Sequence, residues 1–238
     1  MSYTYILTCE HAGNEVPKEY AHLFKGKEEV LYTHQAIDFG ALRLARYLAA
    51  ETDFPLYLTT TSRLLVEANR SLDNEELFSE YSRKLSEKER QIVLGKHYYP
   101  HRRQVEKKIE QALASGEKVI HLAIHTFTPV LDGEVRPADI GILFDPERPL
   151  EAAFAQQLQD ALQASNPERK VLFNSPYPGT DDGLPTYLRT KFGPDHYTGF
   201  ELEVNQKYFL NGEPAVWEKI MKEITSTVQS VTFAFHHT

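Results

Sequence analysis

Ten histidines and thirty-four acidic residues are spread along a chain of 238 residues, and a few of them stand where hydrolytic chemistry is usually done. Glu10-His11-Ala12-Gly13-Asn14 directly follows the apolar run Tyr3–Cys9. His125 closes the run VIHLAIH (Val119–His125) and leads into Thr126-Phe127-Thr128-Pro129. Asp38 lies in the first half of an amphipathic stretch, and Glu203 and Asn205 come late in FELEVN (Phe200–Asn205). In open α/β sheets, ligands bind outside the carboxyl ends of the strands, which is where these groups fall. His11, Asp38 and His125, two imidazoles and a carboxylate from three separate segments, form a donor set suited to one zinc ion that keeps a fourth position open.

Each residue also has a plainer reading. A histidine at a strand end is often a satisfied imidazole, Asp38 can interact with a helix N-terminus, and Glu203 can pair with an arginine. His34 is four residues before Asp38 and would share its helical face, making it a rival ligand. His121 shares a strand face with His125 but lies mid-strand, behind the site. His97 and His101 bracket Pro100, which breaks simple helical pairing. His236 and His237 belong to a terminal stretch expected to fray.

Basic residues form a second group. Ser62-Arg63 follows a strand-like segment, Asn69-Arg70 comes shortly after, and Arg136 sits in the loop DGEVRPAD. A guanidinium presents a planar fork that matches a carboxylate. These positions fit a small anionic substrate, although each arginine can equally pair with the protein's own acids.

The elements that must position these groups alternate along the chain. Strands are expected over Tyr3–Cys9, Phe54–Thr60, Val119–His125, Ile140–Asp145, Val171–Asn174 and Phe200–Asn205. Helices are expected over Thr33–Glu51, Asn74–Leu94, Arg102–Ser115, Leu150–Ser165 and Ala215–Val231. Alternating strands and helices imply a mostly parallel sheet covered on both faces. No repeat, linker or shift in composition divides the chain, so one domain over residues 1–238 is expected.

Composition narrows the function classes. Twenty-six basic against thirty-four acidic residues give a formal charge of −8, with no basic block, which argues against nucleic acid as a partner. Cys9 is the single cysteine, so neither an intrachain disulfide nor a cysteine-rich zinc framework can form. No run approaches the roughly 20 apolar residues of a membrane helix, and the N-terminus lacks a basic signal-peptide region. A cytoplasmic protein without a membrane partner is expected.

Six motifs, in order along the chain, carry a resemblance: TCEHAGNEVP (Thr8–Pro17), SRLLVEANRS (Ser62–Ser71), YYPHR (Tyr98–Arg102), HTFTPVLDGEVRPADIGILFD (His125–Asp145), NSPYPGTDDG (Asn174–Gly183) and GFELEVNQ (Gly199–Gln206). With these the sequence resembles the N-formylglutamate amidohydrolase family. That family is similar to a wider group of zinc hydrolases, cell-wall amidases and carboxypeptidases among them. The likeness implies a three-layer α/β/α sandwich around a mostly parallel, mixed sheet of the phosphorylase/hydrolase-like kind. It implies one zinc ion held by His11, Asp38 and His125, with Glu10 or Asn14 as alternatives for the third ligand.

By the same likeness Glu203 is the general base and acid, and Asn14, Arg63, Asn69, Arg70 and Arg136 recognise the substrate. The implied reaction is hydrolysis of an N-acyl amino acid such as N-formylglutamate, with arginines holding two carboxylates. Two alternatives remain open: a zinc peptidase or amidase acting on a longer acyl-amino acid or peptide, and a non-catalytic relative that binds a small molecule.

Overall fold

In the computed structural model, which describes residues 2–236, alternation along each strand sorts the side chains into two apolar layers. Strand β1 (Tyr3–Cys9) sends Tyr5, Leu7 and Cys9 to one face and Ile6 to the other. Strand β2 (Leu56–Leu58) pairs with β1, and β3 (Lys118–Phe127) lies on the other side of β1. A two-residue hairpin, β4 (Val130–Leu131) and β5 (Glu134–Val135), precedes β6 (Ile140–Leu143); β7 (Val171–Phe173) and β8 (Tyr197–Asn205) complete the set.

The six-stranded sheet runs β2-β1-β3-β8-β6-β7, parallel except for the antiparallel β6–β8 pair. The expected mixed, mostly parallel sheet is therefore present; β6 and β7 run against the other four strands, and β6 starts beside the end of β8, with Ile140 opposite Val204.

Helices α1 (Ala41–Thr52), α4 (Pro149–Ser165) and α7 (Pro214–His236) cover one face. In α7 the buried residues Trp217, Ile220, Met221, Ile224, Val228, Val231 and Phe235 follow helical spacing, so a single stripe meets the sheet. On the other face lie α3 (Tyr99–Ala114), through Val105, Ile109 and Ala112, and α5 (Leu184–Lys191), through Leu184 and Leu188. The short helices α2 (Glu87–Val93) and α6 (Lys207–Leu210) are peripheral to this sandwich. The result is the expected three-layer α/β/α arrangement.

Three expectations change in position. The helix expected from Thr33 begins at Ala41, because Gly40 adopts a left-handed φ of 87° and interrupts the turns before it. A side chain there would also strike Trp217 and Phe209 at 2.8 and 2.9 Å. The helix expected over Asn74–Leu94 is turns until Ser86, whose capping box with Glu89 starts α2. Short polar side chains hold the earlier part in non-helical form: Asn74 donates to Asp182, and Ser79 Oγ donates to the Leu64 carbonyl. The chain's last helix extends beyond Val231 to His236; His237 falls outside the described residues. Among the described residues, no helix is long and apolar enough to cross a membrane.

Candidate metal centre and active site

The face covered by α3 and α5 carries the polar groups. On β3, Val119, His121 and His125 share this face; on β8, Glu201 and Glu203 do so, with His125 in register with Glu203. Towards the ends of these strands the apolar layer gives way to a cavity of about 560 Å³, lined by His11, Asp38, Glu67, His125, Glu201 and Glu203 among others. His11 reaches it from the turn just after β1, and Asp38 from the turn before α1 rather than from within a helix. That turn is pinned to its neighbours: Asp38 N–H donates to the His11 carbonyl (3.2 Å), and Ala41 N–H donates to that of Asp38 (3.1 Å).

Three buried ligand atoms meet at one point. His125 Nδ1 is 3.0 Å from Asp38 Oδ2, His11 Nδ1 is 3.2 Å from the same oxygen, and the two Nδ1 atoms are 3.2 Å apart. Ligands about 2.0–2.1 Å from a tetrahedral ion stand about 3.3 Å from one another, so this spacing fits a divalent cation such as zinc. The chemistry of the set fits as well, since a cation relieves the crowding of two ring nitrogens against a carboxylate. Among the described residues His11, Asp38 and His125 form such a group.

The far sides of both imidazoles are held by acids. His11 Nε2 lies 2.5 Å from Glu67 Oε1, and His125 Nε2 lies 3.0 Å from Glu10 Oε2. The other oxygen of Glu10 meets His101 Nε2 at 3.0 Å. The Glu67 hydrogen bond fixes the His11 tautomer that leaves Nδ1 free to bind a metal, and Glu10 supplies negative charge behind His125. Glu10 therefore faces the back of His125 and is not a third ligand. Asn14 is not one either: its amide donates to the Leu31 carbonyl at 2.7 Å, away from the cavity lining. Asn14, expected to contact substrate, is not among the residues that line the cavity. His34 lines the cavity but is exposed and outside the donor set.

The charges follow from this packing. Burial alone would raise the Asp38 pKa, yet His11 and His125 hold it far below the usual carboxylate range. Burial opposes charge on His125, but Asp38 and Glu10 raise its proton affinity well above that of a free imidazole. His11 is raised too, as Glu67 and Asp38 outweigh burial and Arg63. Strong attraction for protons at one point is what a cation site looks like when protons alone neutralise it.

Glu203 behaves in the opposite way. Burial pushes its pKa up to about 8, with Asp38 and Glu201 adding to the rise against the pull of His125. Its Oε2 is buried without a hydrogen-bond partner among the described residues. The close approach of β6 to it depends on Gly141, where a Cβ would stand 3.3 Å from that of Glu203 and 2.0 Å from the Ser175 carbonyl oxygen.

The basic residues divide. Arg63 Nε contacts Glu67 Oε2 at 2.5 Å and its Nη1 is 3.5 Å from Asp38 Oδ1, so this side chain is already paired. Arg70 donates to the Asp182 carbonyl at 2.6 Å. Asn69 donates to Glu201 Oε1 at 2.9 Å and accepts from Leu184 N–H at 2.7 Å. Arg136 lines the cavity from the loop after β5, its Nη2 2.8 Å from the Tyr177 hydroxyl.

Reading the sequence missed Glu67 and His101, which complete the shell behind the ligands. Both lie inside quoted motifs, SRLLVEANRS and YYPHR, and that membership was the available signal. His121 sits behind the site as expected, between the Thr8 hydroxyl (2.8 Å) and the Tyr197 hydroxyl (2.7 Å).

Comparison with known proteins agrees with this architecture. A structure of a gene product from Agrobacterium tumefaciens superposes with a TM-score of 0.80 at 27% identity, covering 97% of this chain and 91% of that one. A structure of N-formylglutamate amidohydrolase from Ralstonia eutropha gives a TM-score of 0.71 at 16% identity, covering 97% and 93%, a likeness of fold. No curated protein sequence matches the chain. The sequence model of N-formylglutamate amidohydrolase matches residues 3–210, which include the whole donor set and Glu203. By that match the chain belongs to the N-formylglutamate amidohydrolase family and is a hydrolase of that type.

Proposed function

We propose that the protein is a zinc-dependent amidohydrolase that cleaves the linear amide of an N-acyl amino acid, N-formyl derivatives such as the family's namesake N-formylglutamate being the first candidates. The observation that carries this reading is the meeting of His11 Nδ1, His125 Nδ1 and Asp38 Oδ2 beside the unpartnered Oε2 of Glu203.

His11, Asp38 and His125 would hold the ion. Bound there, zinc would supply positive charge that polarises an acyl oxygen and lowers the pKa of water toward ~7. Glu203 takes a proton from the attacking water and gives it to the leaving nitrogen. Burial raises the proton affinity of Glu203 above that of an exposed carboxylate, which suits a group that accepts a proton and then passes it on. Glu10 and Glu67 keep the two rings turned for binding. Arg136 anchors the carboxylate of the amino acid and so orients the acyl carbon.

The test is metal analysis together with hydrolysis by zinc-loaded protein. Glu203→Gln is expected to retain one ion per chain and to lose at least ~100-fold in kcat. Turnover close to wild type in that variant would remove Glu203 from the mechanism. Wild-type protein that binds no ion would remove the metal.

A further inference from the structure

A second cavity, of about 530 Å³, is lined by the start of α3, by α5 and by the turn at Ser71–Asp73. It shares no lining residue with the cavity at the donor set. Its size falls within the roughly 300–1,000 Å³ of small-molecule sites. Leu72, Tyr98, Tyr99 and Tyr187 give it a largely aromatic lining.

Arg102, in the first turn of α3, is the group in this lining whose bonding is incomplete. The residue is only 3% exposed. Its Nη2 donates to the carbonyls of Ala68 (3.3 Å) and Arg70 (2.6 Å), whereas Nε and Nη1 are buried with no hydrogen-bond partner among the described residues. Its guanidinium carbon stands 4.5 Å from the ring centroids of both Tyr98 and Tyr187. Those rings are tethered in turn: the Tyr98 hydroxyl donates to the Arg70 carbonyl (2.7 Å) and that of Tyr187 to Glu106 (2.7 Å). Aromatic rings stabilise a cation but accept none of its in-plane N–H bonds. A buried cation with unmade hydrogen bonds costs stability, and an anion that reaches those donors recovers it.

The surrounding charge also favours an anion. Lys191 is paired with Glu106 at 2.7 Å, which leaves Arg102 and the exposed Arg103 against the exposed Asp73. The lining therefore carries an excess of one positive charge, on a chain whose formal charge is −8.

We propose that this cavity is a second ligand site, for a small aromatic carboxylate. The carboxylate accepts from the open donors of Arg102, and the ligand's ring lies among the tyrosines. Tyr187, the more exposed of the two rings beside Arg102, turns aside to admit it, a side-chain adjustment of the kind common on binding. A single excess charge in an aromatic lining suits an organic monoanion better than a bare inorganic one. The proposal depends neither on an ion at the donor set nor on the hydrolase reading.

The experiment is calorimetric titration of the full chain with 2-naphthoate at neutral pH and low salt, with neutral 2-naphthamide and inorganic phosphate as competitors. One 2-naphthoate per chain is expected to bind with a Kd of about 1 mM or tighter, and both competitors should be at least tenfold weaker. Arg102→Met should weaken 2-naphthoate at least tenfold. Because Arg102 is buried, two surface changes test the charge without disturbing the core: Arg103→Glu should weaken binding several-fold and Asp73→Asn should tighten it. Arg136→Ala, in the other cavity, should leave the affinity unchanged. Absence of binding overturns the proposal, as does displacement by 2-naphthamide or phosphate at equal concentration. Affinity that falls in Arg136→Ala, or that ignores both Arg103→Glu and Asp73→Asn, places the ligand elsewhere and overturns it as well.

Discussion

At the scale of single residues, the centre is an arrangement of buried acids around two imidazoles. Glu10 is the most dependent on its neighbours: it is fully enclosed, and burial alone would raise its pKa. His101 and His125 hold it well below the usual carboxylate range instead. Removing its charge leaves the back of His125 without an ionic partner. Glu10→Gln is therefore expected to weaken zinc binding by about 10- to 100-fold, measured by competition with a chelating dye. Unchanged affinity would mean that Asp38 alone orients His125. The donor set was legible because histidines and acids stood at the ends of apolar runs. Glu67 and His101 were not, since their partners are 56 and 91 positions away and only folding brings them together. Arg63 and Arg70 shared one difficulty: the sequence displays a cation without the acceptor that has already claimed it.

At the scale of elements, strand β6 is under the tightest constraint. It lies between β8 and β7, and Gly141 lets the Ser175 carbonyl and Glu203 approach its backbone. Gly141→Ala places a methyl group where no space exists and should cost about 1–3 kcal/mol, read from the urea midpoint. It should also lower kcat by more than this loss of folded protein explains, because Glu203 is displaced. Full activity and stability in that variant would show that the strand yields easily.

Most strands and long helices were legible from apolar runs and helical spacing. The failures have local causes. Gly40 delays α1, and the Ser- and Asn-rich stretch before Ser86 is held by side-chain bonds to distant residues. The eight-residue α5 has too few turns for periodicity to reveal it. The apolar run of β3 hid which residues face the site, because both sides of a central parallel strand are buried.

At the scale of the whole molecule, stability depends on pH through groups that pull in opposite directions. Burial pulls the pKa of His121 down to about 3 from an ordinary 6.5. Between those values the unfolded chain binds a proton that the folded one refuses, so this histidine removes stability as pH falls below about 6.5. The slope is at most about 1.4 kcal/mol per pH unit. His11 and His125 act in reverse in the metal-free protein. Their raised affinities add stability that is fully present at acid pH and is lost as pH rises through their folded values. Urea unfolding of chelated protein between about pH 6.5 and 4.5 separates these effects. In His121→Gln the acid-side slope should be more favourable by up to one proton, whereas a slope like that of wild type would mean that His121 already takes up a proton in the folded state. On the zinc reading proposed above, only the folded donor set would bind the ion, so ion at 100 times its Kd should stabilise by about 2.7 kcal/mol and chelation should lower Tm.

The reversed strand β6 has a further effect. Because it runs against β8, the chain leaving β3 at Phe127 re-enters the sheet at Ile140 on the same edge, after a short excursion that carries the β4–β5 ribbon and Arg136. The stretch that brings Thr128, Leu131 and Arg136 to the cavity is thus a dozen consecutive residues, while the donor set is rooted elsewhere. Exchanging or lengthening that ribbon in this chain would therefore change the cavity wall around Arg136 while leaving His11, Asp38 and His125 in place.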